Sequence, residues 1–206
     1  MEPLREAYEY LQQGGWVMIP LGFSSIFLWI LIFDRAMEFR AMSAGDISID
    51  QAVRAVRGEG VEVKGQGLRA RLVGGFLENR SGYPDIDRYV LRQVSMKMDR
   101  DLSKFLAVIA VLAAVAPIMG LLGTVLGMIE TFDVISIFGT GNAKALASGV
   151  SVALVTTQTG LLIAIPGLFL SGMLWRQQKR LKTTLEESAT ILERVVRKPV
   201  GAEGGF

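Results

Sequence analysis

Three stretches of this 206-residue chain hold no Lys, Arg, Asp or Glu: 16–33, 105–129 and 145–175. A hydrocarbon core ~30 Å thick takes ~20 apolar residues of helix to cross. The pattern therefore predicts three transmembrane helices, bounded at 16–33, 105–131 and 145–175. Between the first two, the character changes. Residues 47–57 follow Asp46 or Ser48 as a cap and read as a short helix. Residues 58–67 are glycine-rich and turn-like, and 68–79 read as a second helix. Ser81-Gly82-Tyr83-Pro84-Asp85 is a break. Beyond it, Val90, Leu91, Val94, Met98 and Leu102 recur at helical spacing. Nothing interrupts that pattern before Phe105, so one continuous helix about 65–70 Å long is expected from 85 to 129.

The flanks follow the same logic. After the third run, Leu181, Leu185, Ser188, Leu192 and Val195 form a narrow stripe on a charged helix over 176–206. The stripe suits packing against the chain's own loop helices, or a contact with a second copy. Residues 1–15 put Leu4, Tyr8 and Leu11 on one face, as an amphipathic helix on the membrane surface or as a frayed terminus. Residues 132–144 are a short connection, and 201–206 are expected to be disordered. The fold class is an all-α membrane protein: three transmembrane helices with long helical extensions on one side.

Charge gives that side a name. Residues 34–104 hold 13 Lys/Arg and the segment from Arg176 onward holds 7, out of 22 in the chain. Three spans place both segments on one face of the bilayer, and the positive-inside rule makes it the cytoplasm. The N-terminus and residues 132–144 are then periplasmic. A signal peptide would carry a basic start and a small-residue cleavage site. Here Glu2, Glu6 and Glu9 precede the first run and Asp34-Arg35 closes it, so the run reads as an uncleaved span.

Composition removes whole classes of chemistry. The chain has no Cys and no His. Disulfides, thiol nucleophiles, the usual zinc sites and the commonest general base are excluded. No metal site is expected. None of the three runs holds a carboxylate, so with His and Cys also absent an intramembrane enzyme would lack the base that activates a hydroxyl, and no catalytic residue is assigned. The 13 basic residues of 34–104 are offset by 11 acidic ones, which argues a solvated helical surface and no nucleic-acid partner.

What the runs do carry is small and hydroxyl-bearing. The second holds Pro117, Gly120, Gly123, Thr124 and Gly127; the third holds Thr156, Thr157, Gln158, Thr159, Gly160 and Pro166. Small residues let membrane helices approach closely. A lone Thr in such a helix bonds back to a carbonyl one turn earlier. Four consecutive polar residues cover nearly a full turn, so one of them must face a neighbour or a wet cavity, and Gln158 needs partners for its amide. A proton path also needs a group that takes and releases protons. With none in the runs, either nothing titrates there or a second subunit supplies the carboxylate.

Residues 116–129, Ala-Pro-Ile-Met-Gly-Leu-Leu-Gly-Thr-Val-Leu-Gly-Met-Ile, resemble the signature of the ExbB/TolQ/MotA family of ion-driven membrane motors. Residues 148–166, ending Thr-Gly-Leu-Leu-Ile-Ala-Ile-Pro, are similar to that family's last span. Three runs with a large loop after the first match the ExbB/TolQ branch, since MotA has four. The resemblance implies a pentameric ring of this chain around an ExbD- or TolR-like single-span partner that carries a membrane Asp. It implies that proton motive force, through H⁺ as coupling ion, drives a TonB- or TolA-like protein from the bacterial inner membrane. It assigns Thr124 and Thr157 to the ion pathway, with Thr156, Gln158 and Thr159 as possible polar lining. Pro117, Gly120, Gly123, Gly127, Gly160 and Pro166 are helix-packing residues. Two positions depart from the pattern: Val152 stands where ExbB and TolQ carry a Glu, and Gln158 where the family commonly has a small apolar residue. The clustered hydroxyls keep a sodium-driven version in view. The alternative from another class is a non-conducting scaffold of an envelope or secretion complex.

Overall fold

A computed structural model of the chain describes residues 14–60, 63 and 65–197. The expectations for residues 1–13 and 198–206 lie outside them. All regular structure among the described residues is helical: α1 (Met18–Ser43), α2 (Ile49–Arg57), α3 (Leu68–Glu78), α4 (Pro84–Ser103), α5 (Leu106–Phe138), a single 3-10 turn (Gly139–Gly141) and α6 (Ala143–Arg197). The apolar runs lie in α1, α5 and α6. Three helical stretches are long and apolar enough to cross a membrane. The chain divides into two compact units: residues 1–33 with 105–173, and residues 34–104 with 174–206.

The expected continuous helix from 85 to 129 is interrupted. α4 stops at Ser103, Lys104 is extended, and Phe105 has a left-handed backbone, φ 63°. No Gly or Pro marks the spot, and the apolar periodicity runs straight through it. A left-handed residue with a side chain carries a local cost of roughly 1–2 kcal/mol, which the surrounding structure must outweigh.

In the apolar unit, one layer of the core joins all three helices. Met18 and Leu21 of α1 meet Ala116 of α5 and Ala164 of α6, with Met119, Val155 and Ile163 packed around them. Pro20 lies in the first turn of α1, where no helical partner is lost. Pro117 and Pro166 lie inside α5 and α6. Each removes one backbone donor and leaves the carbonyl four residues earlier, at Ala113 and Leu162, without its helical N–H. Outward faces are strongly apolar: Phe23 is 71% and Leu162 72% exposed.

The second unit folds as a conventional helical domain. Ser48 starts α2 with a capping box: its hydroxyl accepts from the Gln51 amide at 3.2 Å, and Gln51 Oε1 accepts from the Ser48 amide at 3.0 Å. Gly58, at φ 84°, ends α2 in the left-handed region, where a residue without Cβ fits. Asp46 serves α3 instead. Its Oδ1 accepts from the amides of Ile47, Arg69 and Ala70 at 3.0, 2.8 and 3.4 Å. Gly67, the N-cap of α3, makes room: a Cβ there would lie 2.5 Å from Asp46 Cα. Asp87 secures the start of α4, accepting from the Ser81 amide and hydroxyl at 2.7 and 2.9 Å and from the Gly82 amide.

The late stripe on α6 resolves in favour of self-packing. Leu181, Leu185, Ser188 and Leu192 are buried within this unit. Arg69 Nε donates to Ser188 Oγ at 3.2 Å, and Lys182 Nζ lies 2.9 and 3.0 Å from the Asp99 carboxylate oxygens. That carboxylate, by hydrogen bond first and charge second, holds the Lys182 ammonium above its usual pKa of 10.5.

Candidate functional site in the helix seam

α5 presents one face of small residues, at spacings of three and four: Ala113, Ala116, Gly120, Gly123, Gly127 and Thr131, all buried. Residues at these spacings share a helix face. α6 returns antiparallel with Gly149, Ala153, Thr156, Gly160, Ala164 and Gly167. The two faces meet with almost no space between backbones. A Cβ added at Gly127 would lie 2.6 Å from the Gly149 carbonyl oxygen and 2.8 Å from the Ala153 nitrogen. At Gly160 it would lie 2.7 Å from the Ala116 carbonyl oxygen, and at Gly120 3.0 Å from that of Thr156. At Gly123 it would run into the Thr156 side chain, and at Gly149 into the Thr131 hydroxyl. Gly167 opens the seam to α1, where a Cβ would lie 2.9 Å from Leu28 Cδ2.

The hydroxyls along this seam donate to carbonyls of their own helices. Thr156 Oγ1 donates to the Val152 oxygen at 2.8 Å, with the Ala153 oxygen at 3.1 Å. Thr159 donates to Val155 at 2.8 Å, Thr131 to Gly127 at 2.8 Å and Thr124 to Leu121 at 2.6 Å. Thr157 alone also reaches across: its hydroxyl is 2.9 Å from the Ala153 oxygen and 3.4 Å from the Gly120 oxygen on α5. Donating to a carbonyl satisfies the O–H and leaves the oxygen's lone pairs able to accept.

Exposure separates the four consecutive polar residues. Thr156 is 0% exposed and fully enclosed by the seam. Thr157 and Thr159 are half-buried, and Gln158 is exposed. Gln158 shares its outward face with Leu154, Leu161, Leu162 and Ile165, and its amide has no hydrogen-bond partner among the described residues. Thr124 is half-buried, one turn along α5 from Gly120. Val152 is half-buried as well, close to where a Cβ on Gly15 would sit, 3.5 Å from Val152 Cγ1. No cluster of His, Cys, Asp and Glu able to hold a metal occurs among the described residues. Sequence reasoning passed over Thr131, Ala113, Ala116 and Gly167 as seam residues. The unbroken spacing of small residues from 113 to 131 is the signal that marks the α5 members.

Fold and seam together define a polytopic membrane protein whose second and third apolar helices are locked backbone to backbone. The model of the MotA/TolQ/ExbB proton channel family matches residues 63–187. The chain is 31% identical over 203 residues to a putative biopolymer transport protein ExbB-like 1 from Synechocystis, covering 92% of this chain and 78% of that protein. It is 27% identical over 192 residues to the biopolymer transport protein ExbB of Salmonella typhimurium, covering 84% and 77%. A shorter match, 42% over 81 residues, links it to the ExbB of Aquifex aeolicus, covering 39% and 55%. The chain belongs to the MotA/TolQ/ExbB proton channel family.

Proposed function

We propose that the chain is an ExbB/TolQ-like subunit of an inner-membrane motor. It assembles as a pentamer around an ExbD- or TolR-like single-span partner and uses proton motive force to energise a TonB- or TolA-like protein. Residues 34–104 and 176–206 face the cytoplasm, and the N-terminus faces the periplasm. Family membership supports the class. One observation carries the ion-path assignment. The half-buried Thr157 hydroxyl lies 3.4 Å from the Gly120 carbonyl, inside the signature segment, in a region where the sequence supplies no protonatable side chain. A hydroxyl there can relay or accept a hydrogen bond but cannot hold the proton, so the partner's Asp must do so. Thr124, a turn away from Gly120, is the second relay hydroxyl. The exposed Gln158 amide supports assembly, because an amide at membrane depth is costly unless protein or water covers it.

Val152 favours a second reading, since the Glu expected there is missing: a non-conducting scaffold of the same shape. Substitution at Thr157 separates the two. Thr157→Val keeps the shape and removes the hydroxyl, whereas Thr157→Ser keeps the hydroxyl. The motor reading expects energised outer-membrane transport to fail in the first variant and persist in the second. Native mass spectrometry should show unchanged assembly in both. Undiminished transport with Thr157→Val in an intact complex would falsify the ion-path assignment. A requirement for sodium in ion-replacement assays would change the coupling ion from H⁺ to Na⁺.

A further inference from the structure

The second unit contains a groove of about 770 Å³ between the end of α1, the first turn of α3 and the stretch of α6 that follows its apolar run. Besides Asp46, its polar lining is Arg40, Ser43, Arg69, Gln177, Arg180 and Thr184. Phe39 and Leu68, each 1% exposed, back it with apolar surface. We propose that this groove binds the phosphate-bearing headgroup of an anionic phospholipid.

Charge is the first argument. Three arginines line the groove against one carboxylate, Asp46. Asp46 is already engaged by three backbone amides and by Arg69, whose Nη1 lies 3.8 Å from Oδ2. That carboxylate also covers the start of α3, so the helix end contributes no open anion site. Arg40 and Arg180 are exposed and make no ion pair among the described residues. Two like charges lining one groove with Ser, Thr and Gln donors beside them call for an anion that takes several hydrogen bonds at once, which a phosphate does.

Depth is the second argument, and it selects a lipid over a soluble phosphate. Arg40 is seven residues past the end of the first uncharged run, on the same helix, or ~10 Å along the axis. Gln177 and Arg180 follow the last uncharged residue of the third run, Trp175, by ~3 and ~7.5 Å. The headgroup layer extends ~5–8 Å beyond the hydrocarbon on each side. Side chains on a helix lean toward its N-terminus. Both α1 and α6 leave the apolar run C-terminally, so Arg40 and Arg180 lean back toward the bilayer. The assignment rests on the membrane reading of these runs and is independent of ion conduction.

The test uses the full chain in detergent or nanodiscs, with phosphatidylglycerol and phosphatidylcholine as lipid probes and inorganic phosphate and glycerol phosphate as soluble ones. Bound lipid is counted by native mass spectrometry. The double variant Arg40→Gln, Arg180→Gln is compared with Arg176→Gln, Lys179→Gln, which removes the same charge from α6 outside the groove. Matching thermal melts establish that both variants fold. The groove reading expects a phosphatidylglycerol preference that weakens about 25-fold in the first variant, near fivefold per arginine, and little in the second. Equal loss in both variants means a diffuse surface potential and overturns the groove site. Equal retention of both lipids overturns it too. Displacement of the bound lipid by millimolar glycerol phosphate overturns the lipid source, leaving a soluble phosphate ligand.

Discussion

Substituting Gly127 by Ala tests the seam most directly. A Cβ at this position would sit 2.6 Å from the Gly149 carbonyl oxygen, about 0.8 Å short of the 3.4 Å at which ordinary contact begins, and 2.8 Å from the Ala153 nitrogen. Both atoms are backbone, so no rotamer change relieves the clash and α6 itself must shift. Overpacking of this kind costs roughly 1–3 kcal/mol. The helix gains about 1 kcal/mol from Ala over Gly, so the net loss expected is about 0–2 kcal/mol. Gly22 supplies the control: it lies in α1 with nothing within 4 Å of its added Cβ. Gly22→Ala should therefore be neutral or stabilising by up to ~1 kcal/mol. The assay is reversible unfolding in mixed micelles, or thermal melting in mild detergent, of the two variants side by side. If Gly127→Ala and Gly22→Ala unfold within ~0.5 kcal/mol of each other, the backbones are not locked as described. A companion double variant sharpens the result. Gly123→Ala collides with the Thr156 side chain including its Cβ, so Thr156→Ala should not rescue it and Thr156→Gly should.

Further predictions concern the second unit. Asp46→Ala strips a shared acceptor from three amides and releases Arg69, and should lower stability by about 2 kcal/mol or more, read by chemical denaturation. Asp87→Ala leaves Ser81 and Gly82 without their acceptor and should loosen the start of α4 by about 1–2 kcal/mol, visible as faster amide exchange over 85–88. The Lys182–Asp99 pair carries a pH signature. Because Lys182 is raised above 10.5 in the folded state, its contribution is fully present below pH 10.5 and is lost as pH rises through the higher folded value. The melting difference between the parent and Lys182→Met should thus stay constant from pH 7 to 9 and shrink above 10.5, and a difference that grew with pH would contradict the sign.

How much of this could be read from residue order depends on whether the cause is local. The three apolar runs are visible because bilayer thickness fixes their length, and the helices of the loop because apolar spacing and Gly-Pro breaks bound them. The capping choice between Asp46 and Ser48 was open for a physical reason. Either can cap the next helix, and only the fold shows that Ser48 does so while Asp46 serves α3, 23 residues on. The interruption at Lys104 and Phe105 has no residue signal, since a left-handed residue is usually Gly or Asn. The stripe on α6 offered two partners with the same pattern, and only burial within the unit chose between them. Small residues were visible on both seam helices. Their pairing was not, because antiparallel register is a property of the contact and not of either sequence.

The seam also constrains where an ion could travel. Between α5 and α6 of one chain there is no room, since Thr156 is 0% exposed and the facing glycines admit no Cβ. Its hydroxyl points into its own helix and cannot meet an aqueous path without the two backbones parting. On the proposed reading, the path must therefore lie outside this helix pair, along the side where Thr157 and Thr124 are half-buried and not enclosed. That side is completed only by another helix, and the three apolar runs supply no carboxylate for it. On that reading a locked seam gives each subunit a rigid wall, and leaves the moving, proton-carrying element to whatever the proposed ring encloses. Rigidity and the missing acid are two aspects of one division of labour. A variant that loosened the seam should impair transport without altering the pH dependence of what remains, whereas a change in the partner's acid should move that dependence.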